Sequence, residues 1–280
     1  FEFSATYRNR DHAFKYDISA NLSTLKNKVT SLGIGKDSYI SGAYATYVGQ
    51  EIGQFYGWVY EGIARTQTDL DGHATQQGAN VGDCLYKDIS GPEGTPDGVI
   101  DAYDQTVLGS GLPKVNFGLS THMEYKGFDL NISTYGVLNY HVSDDIYNSL
   151  NSCYGYGNKE VGMLDANRWS EDGTYLSSVP RTYAANNATL AWNDLFSSRK
   201  IQNAAYWKIA NVELGYNFPD KWFGGYVSGV RLYVSAQNLY TFTGYHGYNV
   251  DYAGGTFTPG YNFCSFPSAR TFMAGLHFTF

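Results

Sequence analysis

The protein is a chain of 280 residues with a net charge of −7 at pH 7, from 19 Lys and Arg against 26 Asp and Glu. It has no basic patch or run of Lys and Arg, which argues against a nucleic-acid partner. No apolar run approaches the roughly 18–20 residues of a spanning helix, but a membrane protein built from strands would not need one. Aromatic residues reach 17% of the chain. Tyr and Trp favour membrane interfaces and sugar-binding surfaces.

Seven segments alternate apolar and polar residues with a period of two, which predicts strands with two different faces. They are residues 1–8, 14–29, 115–125, 128–133, 210–218, 230–236 and 271–280. In the last segment Phe272, Leu276 and Phe278 share one face, whereas Met273 and His277 share the other. The polar faces of other segments carry charges, namely Glu124, Asp129, Glu213 and Arg231. A charge facing lipid would be costly, so these faces are predicted to line a wet lumen.

The connections between the predicted strands are alternately short and long. The short ones are residues 9–11, 126–127 and 219–229, and the long ones are 30–113, 139–203 and 242–270. Antiparallel membrane barrels combine short periplasmic turns with long extracellular loops. If the last strand ends in the periplasm at Phe280, every short turn falls on the periplasmic side. This assignment requires that residues 30–113 contain an even number of spanning strands, which can be zero.

The fold class predicted from these patterns is all-β: a transmembrane antiparallel β-barrel with long extracellular loops. Bacterial single-chain barrels use even strand numbers, so seven strands predict a partial barrel whose other strands precede residue 1. A strand that closes on an aromatic residue is typical of outer-membrane barrels. The cysteines Cys84, Cys153 and Cys264 have no zinc-ligand spacing and are expected to be free thiols, with one disulfide as the alternative.

Several short motifs occur in a fixed order between residues 49 and 280. They are GQFYGW at 53–58 with EGI at 61–63, GD at 82–83, YKD at 86–88, DGVID at 97–101, LG at 108–109, PK at 113–114, NVELGY at 211–216, QNL at 237–239 and PSARTF at 267–272. As an ordered set they resemble the C-terminal third of the SusC/RagA-like TonB-dependent outer-membrane transporters. The chain departs from that pattern in the five extra residues 92–96 and in Phe266, where the family usually has Tyr.

This resemblance implies active uptake of glycans or oligopeptides through a plugged barrel of about 22 strands. Residues 1–280 would be the C-terminal part of that barrel in the bacterial outer membrane, in contact with its lipid. The plug domain and the N-terminal strands would lie outside this chain. The resemblance also implies two partners: a SusD-like surface lipoprotein as a lid, and the TonB complex acting through the plug.

An acidic segment resembles an EF-hand calcium loop, which needs oxygen ligands at fixed steps and a Gly at the sharp turn. The candidate calcium ligands are Asp88, Ser90, Asp97, Asp101 and Asp104. The extra residues 92–96 disturb the ligand spacing. The alternative is an ordinary acidic turn, since Pro-Asp-Gly is common turn chemistry. No cofactor is expected apart from structural calcium.

The long connections are rich in aromatic side chains, whose flat rings can stack on sugars. The candidate ligand-binding residues are Tyr154, Tyr156, Trp169, Trp192, Tyr245, Tyr248 and Tyr252. Alternatively, these rings pack the loops into a compact cap. No catalytic constellation is convincing, so an enzyme is not expected. Two other functions stay open: a passive porin or adhesin barrel, and a secreted β-sandwich lectin whose polar face meets water.

Overall fold

The computed structural model describes residues 1–33, 35–153, 157–161, 179–182, 192–223, 227–251 and 254–280. Its strands are, in chain order, β1 Glu2–Asn9, β2 Phe14–Thr24, β3 Ser38–Ser41, β4 Tyr44–Tyr47, β5 Gln54–Gly57, β6 Tyr60–Ile63, β7 Cys84–Tyr86, β8 Thr106–Ser110, β9 Val115–Tyr125, β10 Phe128–Leu138, β11 His141–Asp144, β12 Gln202–Asn203, β13 Tyr206–Phe218, β14 Gly229–Thr243, β15 Gly254–Gly255, β16 Thr258–Pro259, β17 Tyr261–Asn262 and β18 Thr271–Thr279. The helices are α1 Gln67–Asp71, α2 Asp145–Leu150 and the 3-10 helices Ala102–Asp104, Ser198–Lys200 and Asp220–Trp222. In the part of the chain described, no helix has both the length and the apolar character needed to span a membrane.

Seven long strands form one sheet, here called the wall, in the order β1-β2-β9-β10-β13-β14-β18. Every pairing between neighbours is antiparallel. These are the seven strands predicted from the alternation, so that prediction is confirmed. Several boundaries were wrong: β10, β13 and β14 extend beyond the predicted segments, and the second strand ends at Thr24, before the predicted residue 29. There the N–H of Val29 donates to the carbonyl of Gln50 at 2.8 Å, which directs the chain into the first long connection.

The sheet has one apolar and one polar face because the registers align side chains of the same kind across strands. Leu214 lies opposite Val234, and Leu232 lies opposite Leu276. The exposed fractions of Leu214, Leu232 and Leu276 are 45%, 43% and 57%. Soluble monomers rarely expose apolar patches larger than a few hundred Å², so this face suits contact with lipid.

The three short connections lie at one end of the sheet. The registers place Asn9 and Phe14 at this end, together with Tyr125, Phe128 and Gly229. The tightest turn is Lys126-Gly127, whose φ values of 48° and 87° are both positive, as a two-residue type I′ hairpin requires. The alternation of short and long connections therefore places all the long connections at the other end.

The long connections fold into small sheets of their own. In the described part of the chain these are β3-β4-β5-β8, β6-β7, β12-β11-β17 and β15-β16. None of the strands β3 to β8 joins the seven-stranded wall. The first long connection therefore adds no described strand to the wall. This agrees with the prediction that residues 30–113 contain an even number of spanning strands, which can be zero.

Candidate functional site

The second and third long connections are joined by a buried cluster of three side chains. Asn262 Nδ2 donates to Asp144 Oδ2 at 3.0 Å and contacts Tyr245 Oη at 2.8 Å. The Tyr245 hydroxyl also donates to Asp144. Burial raises the pKa of the Tyr245 phenol well above its usual range. Tyr245 is a predicted ligand-binding residue, but here its hydroxyl holds two loops together.

The first and second long connections meet around the fully buried carboxylate of Asp83. Arg181 binds this carboxylate with two hydrogen bonds, from Nε at 2.6 Å and from Nη2 at 2.8 Å. Asn193 donates to Asp83 at 2.8 Å and accepts from the N–H of Cys84 at 2.7 Å. A bidentate hydrogen bond between arginine and a carboxylate fixes the relative orientation of the two side chains as well as their distance.

Trp192, another predicted ligand-binding residue, lies beside this cluster. Its ring is 6.2 Å from the ring of Tyr86, whose hydroxyl donates to the Trp192 carbonyl. Its indole N–H donates to the carbonyl of Gln77 at 2.9 Å. Trp192 therefore helps to pack the loops together.

Two buried thiols lie near this cluster. Burial raises the pKa of the Cys84 thiol to about 11 and that of the Cys153 thiol to about 12.

The third long connection also packs tightly against the first. A Cβ added at Gly111 would lie 2.1 Å from the carbonyl oxygen of Pro259, so only glycine fits there. The rings of Tyr39 and Phe257 meet edge to face at 5.9 Å. Together with the two polar clusters, these contacts make the three long connections one cap at one end of the wall.

A polar cavity of about 330 Å³ lies where the cap meets the wall. Lys208 of β13 is only 3% exposed, and its Nζ lies 2.5 Å from Asp251 Oδ2 in the third connection. The Tyr135 hydroxyl donates to the other oxygen of Asp251 at 3.2 Å. Tyr248 and Arg270 also line this cavity, and both are exposed. Tyr248 is thus a predicted ligand-binding residue that the structure places in an accessible cavity.

A second cavity, of about 270 Å³, lies inside the cap beside α2. Its lining includes the adjacent cations Arg199 and Lys200 and the phenol residues Tyr60 and Tyr147. Burial lowers the pKa of Lys200. Sequence reasoning missed this cavity, because it favoured aromatic residues. The only signal in the sequence was the pair of neighbouring cations.

At the opposite end of the wall, charged side chains form a network across the polar face. Arg231 donates to Asp129 from Nη2 at 2.5 Å and from Nε at 3.0 Å, and to Glu213 at 2.7 Å. Asn217 donates to Asp129 at 2.9 Å. The sequence placed these charges on polar faces but gave no pairing, because the pairs join different strands.

The acidic segment predicted to bind calcium forms a compact turn. Asp104 is fully buried, and its carboxylate accepts from the N–H groups of Ile89 at 2.7 Å, Ser90 at 3.2 Å and Asp101 at 2.8 Å. Asp101 and Asp88 likewise accept from backbone N–H groups. The described residues contain no group of three or more His, Cys, Asp or Glu side chains placed to hold a metal ion. Calcium binding here stays a prediction.

Four of the predicted ligand-binding aromatic residues lie outside the described residues. They are Tyr154, Tyr156, Trp169 and Tyr252. Of the three that are described, Tyr245 and Trp192 hold the cap together and Tyr248 lines the larger cavity. Ligand binding by these aromatic residues stays a prediction.

Comparison with known proteins gives several relatives, although no protein-family model matches the chain. TonB-dependent receptor P3 of Formosa agariphila is 30% identical over all of this chain and 28% of the receptor. TonB-dependent receptor SusC of Bacteroides thetaiotaomicron is 25% identical over 95% of this chain and 24% of SusC. In the structure of the RagAB peptide transporter, one chain matches all of this chain with a TM-score of 0.78 and 20% identity, over 28% of its own length.

The chain thus spans between about a quarter and a third of the length of the curated relatives it matches. Their names are those of receptors, in agreement with the expectation that this protein is not an enzyme. TonB-dependent receptors are β-barrel proteins of the outer membrane, and the two-faced wall described above has that fold. The chain is therefore similar, along all or nearly all of its length, to TonB-dependent receptors that include SusC, and its sheet is part of a transmembrane β-barrel.

Proposed function

We propose that residues 1–280 form the C-terminal part of the barrel of an active importer, which takes glycans or oligopeptides across the bacterial outer membrane. The observation that carries this proposal is the two-faced wall. Its apolar face suits lipid, and its polar face is covered at one end by a cap, with one cavity where the cap meets the wall and a second inside the cap. A water-filled path closed by a folded cap is what selective import requires.

The proposal places the cap outside the cell and the short turns in the periplasm. Barrels of this kind have long outer loops and short inner turns, and the wall has the same asymmetry. A SusD-like surface lipoprotein would cover the cap from above. TonB would act from the periplasm through a plug domain encoded outside these residues, in a barrel of about 22 strands.

Deletion of the gene in the source bacterium tests this function. We expect slower growth on one nutrient class when purified glycans or casein peptides are the sole supply. The intact gene should restore growth, whereas a Leu232→Arg copy should not, because the new charge would face lipid.

Energy dependence separates this function from that of a passive porin. A protonophore should abolish uptake of the affected nutrient, because TonB transmits the proton-motive force. Uptake that persists in the presence of the protonophore would contradict active import. Normal growth of the deletion strain on every glycan and peptide supplied would contradict the import function altogether.

A further inference from the structure

Two cations line the cavity beside α2, although the protein as a whole is acidic. Arg199 and Lys200 line it, and its described lining includes no Asp or Glu. The other polar residues of the lining are two tyrosines and two asparagines: Tyr60, Tyr147, Asn148 and Asn151. In a chain with a net charge of −7, two neighbouring cations in the lining of one cavity favour an anion, although the carboxylates of Asp194 and Glu160 lie behind that lining.

The two cations differ in how their charge is balanced. The Lys200 ammonium donates to the Asp194 carbonyl and lies 3.9 Å from the Asp194 carboxylate. Arg199 is half-buried, and it forms no salt bridge with any carboxylate of the described residues. A partly desolvated guanidinium that no carboxylate of the described residues neutralises gains more from binding an anion than a fully hydrated one does.

The polar walls of the cavity are held in place by contacts with one another and with residues outside it. Asn151 Nδ2 donates to Glu160 at 2.9 Å and to the Tyr147 carbonyl at 2.9 Å. The Tyr147 ring stacks on His246 of the third connection, with centroids 5.7 Å apart and planes 17° apart. Side chains fixed in this way lose little freedom when a ligand arrives, which favours binding.

We infer that this cavity binds a carboxylate group of the imported ligand, with Arg199 as the principal partner and Lys200 as the second cation. The planar guanidinium matches a carboxylate through two parallel hydrogen bonds. The volume of about 270 Å³ is slightly below the range of about 300–1,000 Å³ typical of drug-sized ligands, so it suits one sugar or amino-acid residue. This inference rests on the proposed import function and adds the charge of the substrate to it.

Two kinds of ligand carry such a carboxylate: a uronic acid residue of a glycan and the C-terminus of a peptide. Trigalacturonate and tetraglycine serve as charged probes. The methyl ester of trigalacturonate and the C-terminal amide of tetraglycine are their matched neutral forms. Titration calorimetry on the purified full-length protein measures each affinity, and the charged probe that binds more tightly identifies the source of the carboxylate.

The expected result is that one charged probe binds at least about tenfold more tightly than its neutral form. Arg199→Gln should remove this preference, and Lys200→Gln should reduce it. Lys87→Gln removes an exposed cation of the first connection and should leave the preference unchanged. Heat-modifiable migration on gels checks that each variant is folded.

Equal binding of charged and neutral forms would overturn the inference, and so would a preference that survives in Arg199→Gln. Failure of both charged probes to bind would also count against it. Binding is measured on purified protein without any transport step, so its outcome is separate from that of the growth and protonophore experiments. The import function can hold for a neutral substrate even where the carboxylate site fails.

Discussion

The ring of Tyr233 on β14 lies directly over Gly275 on β18, on the polar face of the wall. A Cβ added at Gly275 would lie only 2.5 Å from Tyr233 Cζ. The neighbouring Arg231 guanidinium lies 5.2 Å from the centre of the same ring. On the other side of β14, Gly215 leaves room for the pair of Arg231 with Asp129. Two glycines thus let a ring and an ion pair lie flat against the sheet.

Gly275→Ala should therefore destabilise the barrel, because the new methyl group forces the Tyr233 ring away from the sheet. We expect a loss of about 1–3 kcal/mol, the usual range for overpacking. Gly229→Ala is the matched control, because its Cβ would have no neighbour closer than 3.7 Å. Urea titration of heat-modifiable migration measures both. If Tyr233→Ala does not relieve the effect of Gly275→Ala in the double variant, the two residues are not coupled as described.

Because the wall has one apolar and one polar face, a new charge should destabilise the protein much more on the apolar face than on the polar face. Leu276 is on the apolar face opposite Leu232, so Leu276→Arg should cost roughly 2–4 kcal/mol if it lies near the middle of the bilayer. Met273 faces the other way and lies opposite Ser235, so Met273→Arg can stay hydrated. His277, on the same face as Met273, would be a poorer control, because the structure places it opposite Arg231. Equal losses of folded protein for Leu276→Arg and Met273→Arg would contradict a lipid-facing side.

The strands could be predicted from the sequence where the period of two is unbroken, and not where a bulge interrupts it. Ala210 is an extra residue between Ile209 and Asn211, where the pairing with both β10 and β14 shifts register. The alternation changes phase there, so Trp207 and Lys208 of the same strand fell outside the prediction. The cap was beyond prediction for another reason: its contacts join residues such as Asp83 and Arg181, 98 positions apart.

The pairing of Asp83 with Arg181 predicts a local defect in the cap. Arg181→Ala leaves the fully buried Asp83 carboxylate without its cation, which costs about 3–5 kcal/mol for a buried pair. We expect faster protease cleavage within the cap, with unchanged heat-modifiable migration because the wall does not use this pair. Lys87→Ala removes an exposed cation nearby and should leave cleavage unchanged. Cleavage of Arg181→Ala at the wild-type rate would show that the pair contributes nothing to the cap.

Removal of calcium tests the prediction for the acidic turn. If Asp97 and Asp101 hold calcium, a chelator should speed protease nicking between residues 95 and 104, and added calcium should reverse this. Asp104→Asn should speed nicking with or without chelator, because the Asp104 carboxylate accepts from three backbone N–H groups. Nicking of the wild-type protein that does not respond to the chelator would leave an acidic turn held by its own backbone.

The three cysteines provide the test of orientation. Cys264 is exposed, whereas Cys84 and Cys153 are buried. Burial also raises the pKa of the buried thiols to about 11 and about 12, so neither forms the reactive thiolate near pH 7. We therefore expect a membrane-impermeant maleimide to label intact cells at Cys264 alone, and Cys264→Ser to abolish the labelling. Denaturation of Cys264→Ser should then reveal two further thiols. Labelling of Cys264 only after the outer membrane is permeabilised would place the cap in the periplasm and reverse the proposed orientation.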